Sequence, residues 1–221
     1  IYELLLKIST LKNNIYDAQQ KDEIQNNFKD SEVYIVNFSD SIAIFSKNDS
    51  EDNFAFFTFT VQFLFSHSIE KDVPLKGTIA HGLISVNKTN QIYFGQPIID
   101  AYLLQEEVNY MGIVAHNSID NYIKENKITK THLTYMEIQT PLKCGNVNHL
   151  NLNYFELMQK PYSKNKREHT IEKIKTFKTR VSGSPRRYID NTIKVIEQFY
   201  NEEQESSFKL PNTTNLRNDK V

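Results

Sequence analysis

The chain has no tryptophan, one cysteine, and no apolar stretch approaching the roughly 20 residues that a membrane-spanning helix needs. Its most apolar run, from Phe54 to Phe65, is broken by Thr58, Thr60 and Gln62. The lone thiol, Cys144, excludes an intrachain disulfide and fits a reducing compartment. Charge of one sign is also lacking. The formal net charge is −1, which removes any global drive toward nucleic acid or an anionic membrane. Gly77 and Gly82 lack the spacing and the Lys-Ser/Thr ending of a phosphate-binding loop. No histidine shows zinc-ligand spacing with another histidine or with Cys144. There is no internal repeat. Together these absences lead to the expectation of a cytoplasmic protein with no membrane partner, for which nucleic acid is not an expected partner either.

What is present is an ordinary globular composition, 39% hydrophobic and 24% charged over 221 residues. That is enough for one substantial domain, or for one domain with an appendage. Ile1, Leu4, Leu5, Ile8, Leu11 and Ile15 recur at helical spacing, so residues 1 to about 20 are expected to form a helix packed by one face. No capping residue precedes Ile1. A pattern already running at the first residue predicts further chain upstream of it.

Val33–Asn37 and Ile42–Phe45 are two short β-type runs around Phe38-Ser39-Asp40-Ser41, the pattern of a β-hairpin with Asp40 at or near its tip. Asp49–Asp52 can cap a helix reaching Ser68, with Phe54, Phe57, Val61, Leu64 and Phe65 inward. Leu75–Ser85 reads as strand. Gly95-Gln96-Pro97 reads as a turn into a helix that ends near Asn109. Ile113–His116 is a short strand and Ser118–Asn126 a helix. Tyr135–Ile138 and Asn148–Leu152 bracket a turn over Pro141–Gly145 and are expected to pair. Helices are expected from Asn165 to Val181 and, after the Ser182-Gly183-Ser184-Pro185 break, from Arg186 to Glu205. The mixture predicts an α+β fold, an α/β sandwich on one mostly antiparallel sheet.

A carboxylate at a hairpin tip is held by rigid strands yet reaches solvent. That suits Mg²⁺, which takes oxygen ligands and keeps waters and substrate phosphates in its shell. Asp40 is therefore the leading metal candidate. Ser39 and Ser41 add small polar groups that leave room for a phosphate, and Asn37 carries an amide able to read a base edge or to cap the local backbone. The same residues also fit an ordinary turn, in which Asp and Ser satisfy nearby main-chain groups.

Four segments in order resemble the class III nucleotidyl cyclases. Phe38-Ser39-Asp40-Ser41-Ile42 is similar to that family's second metal-aspartate motif. Leu75-Lys76-Gly77-Thr78-Ile79-Ala80-His81-Gly82 resembles its strand with a basic residue and two glycines. Tyr93-Phe94-Gly95-Gln96-Pro97-Ile98-Ile99-Asp100-Ala101-Tyr102 is similar to the turn and helix that follow. Thr140-Pro141-Leu142-Lys143-Cys144-Gly145, continued by Leu150–Asn153, resembles the late Lys-Gly hairpin. Within the family, the bacterial antiphage pyrimidine cyclases of the Pycsar type are closest in flavour.

The resemblance implies a ferredoxin-like core in residues 1–160 lacking its first strand; beyond it the helical pattern predicts a helical extension over 161–208, and the polar composition a flexible tail over 209–221. It implies a homodimer with sites at the interface. Two aspartates would hold Mg²⁺ or Mn²⁺, and a nucleoside triphosphate, UTP or CTP, would become a 3′,5′-cyclic nucleotide and pyrophosphate, as an antiphage signal. Asp40 would be one aspartate, and the other would lie upstream of Ile1. Lys143 would meet the triphosphate as a point charge, with Lys76 a further phosphate candidate. Each also reads as a plain surface lysine.

The chain departs from the family's pattern in two places. Matching on Gly95 and Ala101 puts Ile99 and Leu103 where many class III cyclases place an Asn and an Arg, and neither can donate a hydrogen bond to a transition state. Val36 and Ile92 stand where a Lys and an Asp read purines. The alternative is thus a catalytically inactive, cyclase-like nucleotide-binding or regulatory module. A polymerase- or nuclease-like palm shares the same paired carboxylates. The basic residues Lys164–Arg167, Lys178, Arg180, Arg186 and Arg187 are interspersed with glutamates and read as a solvated helical face.

Overall fold

The computed structural model describes residues 31–38, 41–87, 89–128, 134–159 and 165–208, with the main chain alone at 37–38 and 202–208. The helix expected over residues 1–20, Ser39, Asp40 and the tail after Phe208 lie outside these. Strand β1 (Val33–Phe38) pairs antiparallel with β2 (Ser41–Ser46), and Phe38 faces Ser41 at the closed end of the register. The two apolar runs therefore form the expected hairpin.

Helix α1 (Glu51–Glu70) starts where the Ser50 side chain accepts from the main-chain N–H of Asn53, with Glu51 and Asp52 in the first turn complementing the helix dipole. It is buried along most of its length, since β1, β2, the Phe155–Leu157 turn and the Lys166–Thr176 helix all contact it. Phe54, Val61, Leu64 and Phe65 are in the core as expected. Phe57 is only half-buried, and Phe56 is buried beyond it. The polar side chains in this setting are hydrogen-bonded, as burial requires. Thr58 meets the Tyr135 hydroxyl at 2.9 Å, and Gln62 donates to the carbonyl of Asn153 at 2.5 Å. The helix ends in a Schellman motif. Asp72 adopts a left-handed φ of 62°, its N–H donates to Ile69, and the N–H of Val73 donates to Ser68.

The expected strand at 75–85 resolves into β3 (Gly77–Ile79) and β4 (Ser85–Asn87), and β4 pairs with β5 (Ile92–Phe94). Helix α2 (Gln96–Glu107) follows Gly95, whose φ is 153°. A Cβ there would lie 2.7 Å from the carbonyl oxygen of Leu83, so the position requires glycine. Then come β6 (Ile113–Ala115), α3 (Asn117–Glu125), β7 (Tyr135–Leu142) and β8 (Gly145–Leu152). The turn between β7 and β8 is Lys143-Cys144 alone. Pro141 and Leu142, expected in the turn, belong to the strand, because Leu142 bridges Val108 and the Pro141 carbonyl accepts from Asn109. Cys144 is exposed.

The described strands make three sheets, where one was expected. A four-stranded sheet runs β3-β6-β8-β7, with β3 and β6 parallel and the other pairs antiparallel. The hairpins β1-β2 and β4-β5 stand as two-stranded units. The class is mixed α+β. The two hairpins are joined by aromatic contact instead of a ladder: Phe45 stacks on Tyr93 at 5.7 Å between ring centroids, and the Tyr34 and Tyr93 hydroxyls are 3.5 Å apart.

Helix α4 (Lys166–Thr176) continues as a 3₁₀ turn over Phe177–Thr179, and α5 (Pro185–Phe208) follows the expected break. Ile174, Phe177, Ile189, Ile196 and Phe199 join the same core as α1 and the sheet. The Asp72 carboxylate ties this region to α1, taking Lys173 at 2.7 Å and Arg180 at 3.0 Å. A buried polar chain ties it to the sheet. The Tyr110 hydroxyl donates to Asn151, Asn151 donates to Thr140, and the main-chain N–H of Met111 donates to Thr192 on α5. No helix among the described residues is long and apolar enough to cross a membrane.

Candidate functional site

The β1-β2 hairpin is braced from several sides. The main-chain N–H of Glu32 donates to Asn53 of α1 at 3.0 Å, that of Lys47 donates to Glu32, and Phe45 packs on Tyr93. The hydrogen bond to Tyr34 holds the Tyr93 phenol above its usual pKa. Ser41 opens β2 and is exposed. Asn37 pairs with Ile42 in the register, with only its main chain described. Asp40 and Ser39 fall in the gap between the two strands, outside the described residues. Among the described residues, no group of three His, Cys, Asp or Glu side chains is placed to hold a metal ion.

The structure brings two of the sequence candidates to one place. Lys143, exposed in the β7-β8 turn, lies 3.8 Å from a Glu106 carboxylate oxygen, and its main-chain N–H donates to the Glu107 carbonyl at 2.8 Å. Lys76, half-buried just before β3, donates from Nζ to the Gln105 carbonyl at 3.0 Å. Both lysines thus meet the C-terminal end of α2, which has no basic residue in its own last turn. Cations there satisfy orphan carbonyls and complement the dipole. Burial lowers the Lys76 pKa, and the nearby Glu106 partly opposes that. Lys76 therefore has a helix-capping role that the sequence pattern did not reveal, because its acceptor lies 29 positions away.

Helix α2 buries Pro97 alone, and it presents Ile99, Tyr102 and Leu103 outward at 52%, 63% and 59% exposure. These three share one face at i, i+3 and i+4. Phe94 and Ile92 on β5 and Leu83 in the loop before β4 are exposed as well. Sequence reading placed Ile99 and Leu103 on this helix. It missed β5, a three-residue strand too short for a periodic signal, and so missed the extent of the surface.

His81 is half-buried, with its main-chain N–H bonded to the Ser118 hydroxyl and its ring 4.5 Å from that of Tyr122. The basic residues of the C-terminal helices meet acids: Lys178 with Asp190 at 2.6 Å, Arg167 with Glu197 at 3.7 Å, and Arg180 and Lys173 with Asp72. Comparison of the chain with protein-family models, with curated proteins and with solved structures finds no match in any of the three.

Proposed function

We propose that the chain is the catalytic part of a metal-dependent nucleotidyl cyclase acting as a homodimer on a pyrimidine nucleotide, UTP or CTP. The observation that supports this reading is the braced β1-β2 hairpin, whose register closes at Phe38 and Ser41, the two residues that flank Ser39 and Asp40 in the sequence. In the reaction the ribose 3′-oxygen bonds to the α-phosphorus, pyrophosphate leaves, and the hydroxyl proton passes to a base. Most of the catalysis of phosphoryl transfer lies in positioning and charge neutralisation. Asp40, with an acidic neighbour outside the described residues, would hold Mg²⁺ or Mn²⁺. The described residues alone do not make a metal centre. What they offer is Lys143 as a phosphate contact and the α2 face as a surface for a second copy. Eight large apolar side chains are exposed among the described residues, and most of them cluster on α2 and the β4-β5 hairpin, which supports the dimer.

One observation favours a second reading. The α2 face that would serve the neighbouring subunit's site carries Ile99 and Leu103, which have no hydrogen-bond donors. An inactive nucleotide-binding or regulatory module is consistent with that face. Incubating the full-length protein, with both carboxylates present, with each of the four ribonucleoside triphosphates and Mn²⁺, followed by mass spectrometry, separates the two. Cyclic UMP or cyclic CMP that disappears in Asp40→Ala is the expected result. Nucleotide binding with no cyclic product from any of the four overturns the enzyme reading in favour of the module.

A further inference from the structure

A cavity of about 310 Å³ lies where the loop from α1 to β3 and the segment before β6 meet the joint between α4 and α5. Its size is at the small end of the range for small-molecule sites. Leu75, Met111, Phe177, Val181 and Tyr188 give it apolar walls. Two cations stand in this lining. Lys76 has no carboxylate within ion-pair distance among the described residues. Its ammonium gives one hydrogen bond, to the Gln105 carbonyl, and sits 6.0 Å from the centre of the Tyr188 ring. An ammonium has three donors, so two remain for a ligand. The guanidinium of Arg180 lies 5.7 Å from the Phe177 ring centre and spends one nitrogen on Asp72. Asp72, the one acid in the lining, is already matched by both Lys173 and Arg180. Glu106, the acid nearest Lys76, is matched by Lys143. An apolar hollow whose acids are neutralised and whose lysine keeps donors to spare selects an amphipathic anion.

We infer that this cavity binds a small monocarboxylate with an aromatic or branched apolar body, its carboxylate on Lys76 and Arg180 and its body against Met111, Phe177 and Val181. The site does not involve the β1-β2 hairpin, and it gives Lys76, a phosphate candidate under the cyclase reading, a carboxylate instead. A ligand there bridges the end of α1 to the C-terminal helices, so it would regulate how firmly those helices are docked.

The test uses the full chain, with 3-phenylpropionate and its neutral amide as probes, followed by chemical-shift titration and thermal shift. A ligand of this size is expected to bind at millimolar concentration. The carboxylate is expected to saturate and raise the melting temperature, with the amide about tenfold weaker or more, the effect of losing a charge-assisted hydrogen bond. Lys76→Met should reduce carboxylate binding to the level of the amide. Val181→Trp, which fills the hollow without touching a charge, should abolish it. No saturable binding, equal binding of acid and amide, or undiminished binding to Val181→Trp overturns the proposal. Where Lys76→Met fails to fold by circular dichroism, the acid-amide contrast in the unaltered chain decides.

Discussion

The Tyr110 hydroxyl donates to the side-chain oxygen of Asn151 at 2.7 Å, with both side chains buried, and so ties the segment before β6 to β8. Burial raises the Tyr110 pKa far above the phenol range, so the group is neutral and a donor at every working pH. Tyr110→Phe keeps the ring and leaves the Asn151 oxygen without this donor. The expected cost is about 1–3 kcal/mol of stability, read from urea unfolding. An unchanged midpoint would show that the pair is dispensable.

Asp72 predicts an acid sensitivity. Its hydrogen bond to Lys173, then that to Arg180, hold its pKa below the usual carboxylate value of 3.8. Because the folded-state pKa is depressed, the contribution to stability is complete above the unfolded value and fades as pH falls through the folded one. The group is partly exposed, so salt screens the effect. Asp72→Asn should melt about 1–3 °C below the unaltered chain at pH 6, with the gap closing as the pH falls below the usual carboxylate value of 3.8. A gap that persists at low pH would assign the effect to the helix end and not to charge.

Lys143 and Glu106 form an exposed pair, and such pairs contribute little to folding. Lys143→Ala should therefore leave the melting temperature nearly unchanged. Under the cyclase reading it should lower kcat/KM for the nucleotide by about tenfold or more, whereas Glu106→Gln, which frees the lysine, should not. Equal losses in both variants would make the pair structural.

Leu103 is 59% exposed on α2, so Leu103→Glu should change the stability of the folded chain by less than about 0.5 kcal/mol. On the homodimer proposal the same substitution should convert a dimer to a monomer in light scattering. A monomer before substitution, or a dimer after it, counts against α2 as the contact.

Much of the fold was legible because it rests on local signals. Ser50 ahead of an acidic first turn marks the start of α1, the proline after Gly95 marks α2, and the paired β-type runs mark the first hairpin. What was not legible depends on distant partners. The Pro141–Leu142 stretch reads as a turn by composition and becomes strand because Val108, more than 30 positions earlier in the chain, pairs with Leu142. The Asp72 knot joins residues 101 and 108 positions apart, and no periodicity carries that. Of the site candidates, Lys76 and Lys143 were named for phosphate. That they share the end of α2 follows only from how the helix packs along β3.

Gly77–Ile79 and Ile113–Ala115 lie side by side in one sheet, so the chain leaves at one strand and returns next door. The excursion between them carries Leu83, Phe94 and the outward stripe of α2. Its two ends are pinned wherever its middle goes. The returning helix is itself laid back on the departing strand, since Thr78 donates to the Ala101 carbonyl and Lys76 to that of Gln105, so the outward stripe sits on a base held at three places.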